Sequence, residues 1–177
     1  MNDGIYNNYI TFVCIMTEKF SIVANSEEDT RIIAQKVAPL FHPGDVLVLD
    51  GDLGAGKTCF VKGFTDGLHA KDGVNSPTFS IANFYRTLEH ADVLHIDVYR
   101  IATVDEFNDL GLSDYFDQSI VLIEWGKKFM EIFDDCLIVS FHIVDDNKRI
   151  LTFECQGDQY KSTITGIEKS LKGFESC

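Results

Sequence analysis

Basic residues are scarce in this chain of 177 residues. Lys and Arg number 15 against 28 Asp and Glu, for a formal net charge of -13. Such a balance excludes a large phosphate-backbone footprint on the chain's own surface. Long apolar runs are missing as well: 45% of residues are hydrophobic, yet no stretch approaches the ~20 residues of a membrane-spanning helix. The apolar run from Tyr9 to Met16 is short, and no Lys or Arg precedes Lys19, so it lacks the basic flank of a secretory signal and export is not expected. No C-x-x-C pair occurs among Cys14, Cys59, Cys136, Cys155 and Cys177, and their number is odd. That pattern argues against zinc and disulfides and for reduced thiols in a cytoplasmic setting. Cys136 and Cys155 lie in strand-like runs, where a buried, inert thiol is expected. There is no internal repeat and no low-complexity linker. The length suits one α/β domain and is short for two.

What the sequence does contain is a complete phosphate-binding loop. Gly51-Asp52-Leu53-Gly54-Ala55-Gly56-Lys57-Thr58 matches G-x-x-x-x-G-K-[ST] and follows directly on the apolar run Val46-Leu47-Val48-Leu49. The glycines let successive backbone N–H groups converge on one anion, Lys57 reaches the β and γ phosphates, and the Thr58 hydroxyl ligates Mg²⁺. Cys59-Phe60-Val61-Lys62-Gly63-Phe64 continues with helical spacing, which puts the phosphates at a helix N-terminus. Strand before and helix after predict a nucleoside triphosphate site.

The flanking elements alternate. Phe20 to Ala24 reads as a strand, and Ser26 followed by Glu27, Glu28 and Asp29 as a helix start whose acids match the helix dipole. Ile32, Ile33, Val37 and Leu40 then share one helical face. Pro43-Gly44 turns into the strand Val46 to Asp50, and the helix after the phosphate loop runs to about Leu68. Lys71 to Pro77 is polar and broken by Gly73 and Pro77, a loop able to move. Strand-like runs follow at Ser80 to Tyr85 and Val93 to Val98, separated by Glu89-His90-Ala91-Asp92. Asp105 to Tyr115 is helical in pieces around Gly111. Ser119 to Trp125 is an apolar strand with an acid near its end. Leu137 to Val144 and Ile150 to Cys155 form a hairpin across Asp145-Asp146-Asn147-Lys148, and a last helix lies near Lys161 to Lys172. The expected architecture is α/β of the P-loop NTPase type: a mainly parallel central sheet flanked by helices, with antiparallel edge strands. Residues 16–177 read as this single domain, and residues 1–15 as an N-terminal extension or a misplaced start, with no function assigned.

A phosphate loop needs a second acid for its metal, at the C-terminal end of a neighbouring strand. Two qualify: Asp97 after Val93-Leu94-His95-Ile96, and Glu124 after Ile120-Val121-Leu122-Ile123. The plain alternative for each is a solvated carboxylate at a strand end. In the functional reading Asp97 holds Mg²⁺ directly or through water, and Glu124 polarises the attacking water or holds the metal shell. His95 shares a strand face with Asp97 and reads first as a packed, hydrogen-bonded core residue. In Ser76-Pro77-Thr78-Phe79, Pro77 forces Ser76 into an extended conformation, and the hydroxyls of Ser76 and Thr78 are placed to close over a γ-phosphate; the tetrapeptide is equally a loop-to-strand junction. Trp125 either stacks near the nucleotide or packs under a helix.

Taken in order, the phosphate loop, Ser76-Pro77-Thr78-Phe79, His95-Ile96-Asp97-Val98-Tyr99-Arg100 and Ile123-Glu124-Trp125 resemble the TsaE (YjeE) ATPases of bacteria, over about Phe20 to Phe153. The resemblance implies a cytoplasmic ATPase that works with TsaB and TsaD to place threonylcarbamoyl on N6 of adenosine 37 in tRNAs reading codons that begin with A. It implies Mg²⁺ on Thr58, on Asp97 and in the shell of Glu124, with Glu124 supporting hydrolysis together with Lys57. It further implies nucleotide contacts from Asp52, Leu53, Gly54, Ala55, Gly56, Lys57, Thr58, Cys59, Thr78 and Trp125. The family usually carries a second threonine where this chain has Cys59, and a thiol is a poorer hydrogen-bond partner for an α-phosphate. Two other classes use the same loop. A small-molecule kinase needs an arginine-bearing lid, and among Arg31, Arg86, Arg100 and Arg149 only Arg86 and Arg100 fall between the motifs. A regulatory GTPase needs N-K-x-D, which Asn147-Lys148-Arg149-Ile150 does not complete.

The charge balance generates a prediction of its own. Lys127-Lys128 is the only adjacent lysine pair, read as a solvated helix start or a contact for an acidic partner surface, so the isolated chain lacks the counterion-displacing patch that tRNA binding requires. An anisotropy titration with tRNA at physiological salt is expected to show no appreciable binding. Micromolar, salt-sensitive affinity without partners would contradict this.

Overall fold

Alternation along one strand organises the molecule. In the computed structural model, which describes residues 19–71, 80–88 and 90–174, strand β2 (Val46–Gly51) turns Leu47 and Leu49 into one apolar cluster and Val46 and Val48 into another. A strand buried on both faces reads as a continuous apolar run, and that is how this segment is written. The first cluster receives α1 (Glu27–Val37), α2 (Lys57–Gly67) and α4 (Lys161–Ser170) through Ile33, Phe60, Phe64, Ile164 and Ile167. The second receives α3 (Val104–Asp109) and a 3-10 segment at Gly126–Ile132 through Phe107 and Phe129. The result is a helix–sheet–helix sandwich.

The remaining strands are β1 (Lys19–Ala24), β3 (Ala82–Tyr85), β4 (Asp92–Asp97), β5 (Ser119–Glu124), β6 (Cys136–Ile143) and β7 (Arg149–Gln156). Their order in the sheet is β1-β7-β6-β2-β5-β4-β3. The central pairs β6–β2, β2–β5 and β5–β4 are parallel, and the outer pairs β1–β7, β7–β6 and β4–β3 are antiparallel. This is the expected sheet. Strand β4 starts at Asp92, inside the expected polar spacer, because Asp92 already pairs with Ser119. Ser26 caps α1 by accepting from the Asp29 N–H at 3.0 Å, and α1 stops at Val37, where Ala38-Pro39-Leu40 tightens into a 3-10 turn. Cys136 is fully buried, and burial pushes its thiol up to about 11; Cys155 is half-buried. Residues 1–15 and Ser76-Pro77-Thr78-Phe79 lie outside the described residues.

Two tethers hold the phosphate-loop helix and the central strand in place. The buried Tyr160 hydroxyl accepts from the Val46 N–H at 2.8 Å, which ties the start of α4 to the start of β2, and burial pushes the phenol's pKa up. Helices α1 and α2 touch backbone to backbone at Gly63 and Gly67: a Cβ on Gly63 would lie 2.2 Å from the Arg31 carbonyl oxygen, and one on Gly67 2.5 Å from that of Gln35. Helix propensity alone says that Gly63→Ala should stabilise by up to about 1 kcal/mol. The close approach opposes it, and overpacking against backbone costs about 1–3 kcal/mol or more. We expect Gly63→Ala to lower the thermal midpoint by several degrees. A raised midpoint would show that the helices separate freely.

Candidate nucleotide site

The loop from β2 into α2 departs from ordinary backbone where the motif has glycine. Gly54 has φ +77° and Gly56, which caps α2, has φ +106°, conformations that side chains with a Cβ rarely adopt. Between them Ala55 is fully buried while Leu53 is 86% exposed. Asp52 is exposed and gives its backbone carbonyl inward. Lys57 opens α2 and folds back over the loop, donating from Nζ to the Gly51 and Asp52 carbonyls at 2.7 and 2.9 Å. The same ammonium lies 3.7 Å from the centre of the Trp125 ring, a cation–π contact. Burial pulls the Lys57 pKa down, opposed by the carboxylates of Glu124, Asp97, Asp50 and Asp52.

The parallel register brings the predicted acids to the same place. Leu49 pairs with Glu124, and Glu124 with Asp97, so the ends of β2, β5 and β4 lie side by side. Glu124 is only 4% exposed, and its Oε1 accepts from the Thr58 hydroxyl at 2.9 Å and is bonded to His95 Nε2 at 2.9 Å. The plain reading of Glu124 as a solvated strand-end carboxylate is therefore wrong. Asp97 is half-buried and accepts from the Tyr99 N–H at 2.9 Å through Oδ1. Trp125 leaves β5 at φ +65°, and its ring sits 5.1 Å from that of Tyr99. It stands beside the phosphate loop and is also partly buried against the second apolar cluster. Cys59 is half-buried and its thiol donates to the Glu27 carbonyl at 3.2 Å, a tie from α2 to the first turn of α1; burial raises its pKa.

These groups line a cavity of about 690 Å³ that includes the loop residues Leu53 to Cys59, Asp97, Glu124 and Trp125, a size that suits a small-molecule ligand. Its far wall is Glu27, Glu28, Arg31 and Lys62, and Ile81, Tyr99 and Arg100 complete the rim. Tyr99 and Arg100 belong to a motif quoted from the sequence, whereas sequence reasoning missed the rest of this lining. Ile81 at φ +66° carries no motif, and Glu27 and Glu28 read as helix-dipole acids without a second use. Arg149 was also missed: from the start of β7 its guanidinium donates to the carbonyls of Asp145, Asp146 and Gly54, bracing the loop. The Lys127-Lys128 pair is exposed at the start of the 3-10 segment, as expected of a solvated helix start, and it also makes specific contacts. Lys127 pairs with Asp50 at 2.9 Å, and Lys128 donates to the Tyr99 and Ile101 carbonyls. Thr78 lies outside the described residues.

Hard oxygen donors from Thr58, Asp97 and Glu124 suit Mg²⁺. Among the described residues no three His, Cys, Asp or Glu side chains form a metal cage; Mg²⁺ needs none, since it is held by one or two carboxylates together with substrate phosphates and water. Trp125, the only tryptophan, reports on the site. A triphosphate that draws Lys57 away from the ring is expected to change Trp125 emission, and Lys57→Ala to abolish the change. Unaltered emission alongside binding measured by calorimetry would contradict the arrangement.

Comparison with known proteins agrees with the geometry. The family model described as "Threonylcarbamoyl adenosine biosynthesis protein TsaE" matches residues 24–151. The chain is 43% identical over 136 residues to the tRNA threonylcarbamoyladenosine biosynthesis protein TsaE of Bacillus subtilis, covering 76% of this chain and 84% of that protein. It is 36% identical over 131 residues to the same-named protein of Aquifex aeolicus, covering 72% and 90%. The crystal structure of Bacillus subtilis YdiB superposes with a TM-score of 0.70 at 32% identity, over 87% of this chain and 97% of that one. With a matching family model across most of its length and a P-loop fold shared with a solved relative, the chain belongs to the TsaE family.

Proposed function

We propose that this protein is an ATP-hydrolysing accessory subunit of the bacterial machinery that forms N6-threonylcarbamoyladenosine at position 37 of tRNAs reading codons that begin with A. One observation carries the reading: a buried carboxylate, Glu124, faces the start of the phosphate-loop helix and is bonded to its Thr58 hydroxyl. The names of the relatives supply the pathway. TsaB- and TsaD-type proteins are the partners in this reading, with tRNA met only through them, in the cytoplasm. Among the described residues no helix is long and apolar enough to cross a membrane.

The residues divide the work as follows. Loop N–H groups and the N-terminus of α2 receive the phosphates. Lys57 exchanges the Gly51 and Asp52 carbonyls for β- and γ-phosphate oxygens, a move within reach of one side chain. Thr58 and Asp97 hold Mg²⁺, with Glu124 in its shell. Bound there, Mg²⁺ would supply charge neutralisation on the phosphate oxygens. Glu124 orients the water that attacks, from a position shielded from bulk solvent.

Three variants test the division. Lys57→Ala is expected to abolish productive ATP binding, because it removes the mobile cation from a chain of net charge -13. Asp97→Ala should weaken Mg²⁺-dependent binding, whereas Glu124→Ala should keep binding within about threefold and lose hydrolysis by about 100-fold or more. Calorimetric titration of Mg·ATP and release of inorganic phosphate to water read the two effects separately. Near-normal turnover in Lys57→Ala, equal loss of affinity in Asp97→Ala and Glu124→Ala, or transfer of phosphate to an added acceptor would each contradict the proposal.

A further inference from the structure

Among the described residues His95 is a buried titratable side chain bonded to Glu124 that has no role in the proposed function. It lies on β4 between Leu94 and Ile96, which face the opposite apolar cluster, so it projects toward α2 on the same strand face as Asp97. It is 0% exposed. Its Nε2 is bonded to Glu124 Oε1 at 2.9 Å, and its Nδ1 has no hydrogen-bond partner among the described residues. The carboxylate oxygen accepts, which assigns the proton of this bond to Nε2. As a core filler this residue is a poor choice. Leucine or phenylalanine would occupy the space without stranding a ring nitrogen, and an unpaired buried polar atom is costly. The polar return for placing histidine here is its bond to Glu124.

That bond falls on a particular oxygen. Thr58 Oγ1 and His95 Nε2 converge on Oε1, while no hydrogen bond from the described residues reaches Oε2 of a side chain that lines the cavity. Two donors from different elements fix the carboxyl plane and leave its second oxygen for the substrate side. Thr58 has another use in the proposed function, but His95 has none. The geometry points to His95 as the positioning residue of the hydrolysis step: it holds Glu124 by Oε1 so that Oε2 meets the attacking water. This rests on the ATPase reading of the site.

The test compares His95→Leu, which keeps bulk and removes the donor, with His95→Gln, whose amide N–H reaches about as far as imidazole Nε2. His95→Asn, one bond shorter, is a second disrupted variant. The assays are Mg·ATP hydrolysis, Mg·ATP affinity and thermal melting. His95→Leu and His95→Asn are expected to lose kcat by about tenfold or more with affinity within about threefold, while His95→Gln stays within about fivefold of the natural protein. In a Glu124→Ala background His95→Leu should cause no further loss, because the two residues act as one unit. Equal losses in the Leu and Gln variants, a further loss in the Glu124→Ala background, or failure of the Leu and Asn variants to fold would assign His95 to the core and overturn the inference. Full hydrolysis in His95→Leu would overturn it alone, whereas absence of hydrolysis by the natural protein would overturn the ATPase reading beneath it.

Discussion

A buried carboxylate beside a phosphate-binding loop is the constraint on which the rest of this structure depends. Glu124 ends a strand with only 4% of its surface exposed, a position that is costly for a polar side chain unless it is well partnered. The partners come from two other elements: Thr58 from the start of α2 and His95 from β4. An ammonium, Lys57, lies within the same electrostatic neighbourhood and feels Glu124 before any other carboxylate. A second negative object near Glu124 is repelled unless cations accompany it. The proposed function brings a phosphate group here together with a divalent cation, and in that reading Lys57 is the protein's own contribution to the balance.

The fold serves this arrangement. Parallel pairing of β2 with β5 and of β5 with β4 places the loop, Glu124 and Asp97 at one end of the sheet, where the loops of an open α/β sheet converge. The close contact of α1 and α2 at Gly63 and Gly67 fixes the axis of the helix whose N-terminus faces the phosphates. Arg149 braces Gly54 from the start of β7, and Lys128 pins the Tyr99–Ile101 segment that follows Asp97. Left-handed backbone at Trp125 and Ile81 flanks the cavity. Strain of this kind persists only where the surroundings over-determine it, and it concentrates at functional sites.

Much of this was legible in the sequence, for identifiable reasons. The phosphate loop is local, so its residues announce themselves without knowledge of the fold. Glu124 and Asp97 stood out because an acid directly after a mostly apolar run marks the end of a buried strand, and the alternation of strands and helices then implied that such ends meet. What remained hidden were the contacts that depend on register. His95 read as a packed core histidine, which its burial bears out, but its bond to Glu124 crosses from β4 to β5 and 29 residues of sequence. The perch of Lys57 on Trp125 depends on a left-handed residue that no pattern predicts, and the exposed Lys127 and Lys128 reach partners, Asp50 and two backbone carbonyls, that come from other segments.

The central claim is that this chain couples ATP hydrolysis to repeated rounds of tRNA modification by its partners. The most direct measurement is a reconstitution in which the purified chain is added to purified TsaB- and TsaD-type partners, tRNA and the threonylcarbamoyl donor, with modified tRNA counted per complex. The account predicts multiple turnovers with Mg·ATP and no more than a single round when a non-hydrolysable ATP analogue replaces it or when Glu124→Ala replaces the natural chain. Equal multiple turnover with the analogue, or without this chain, would contradict it.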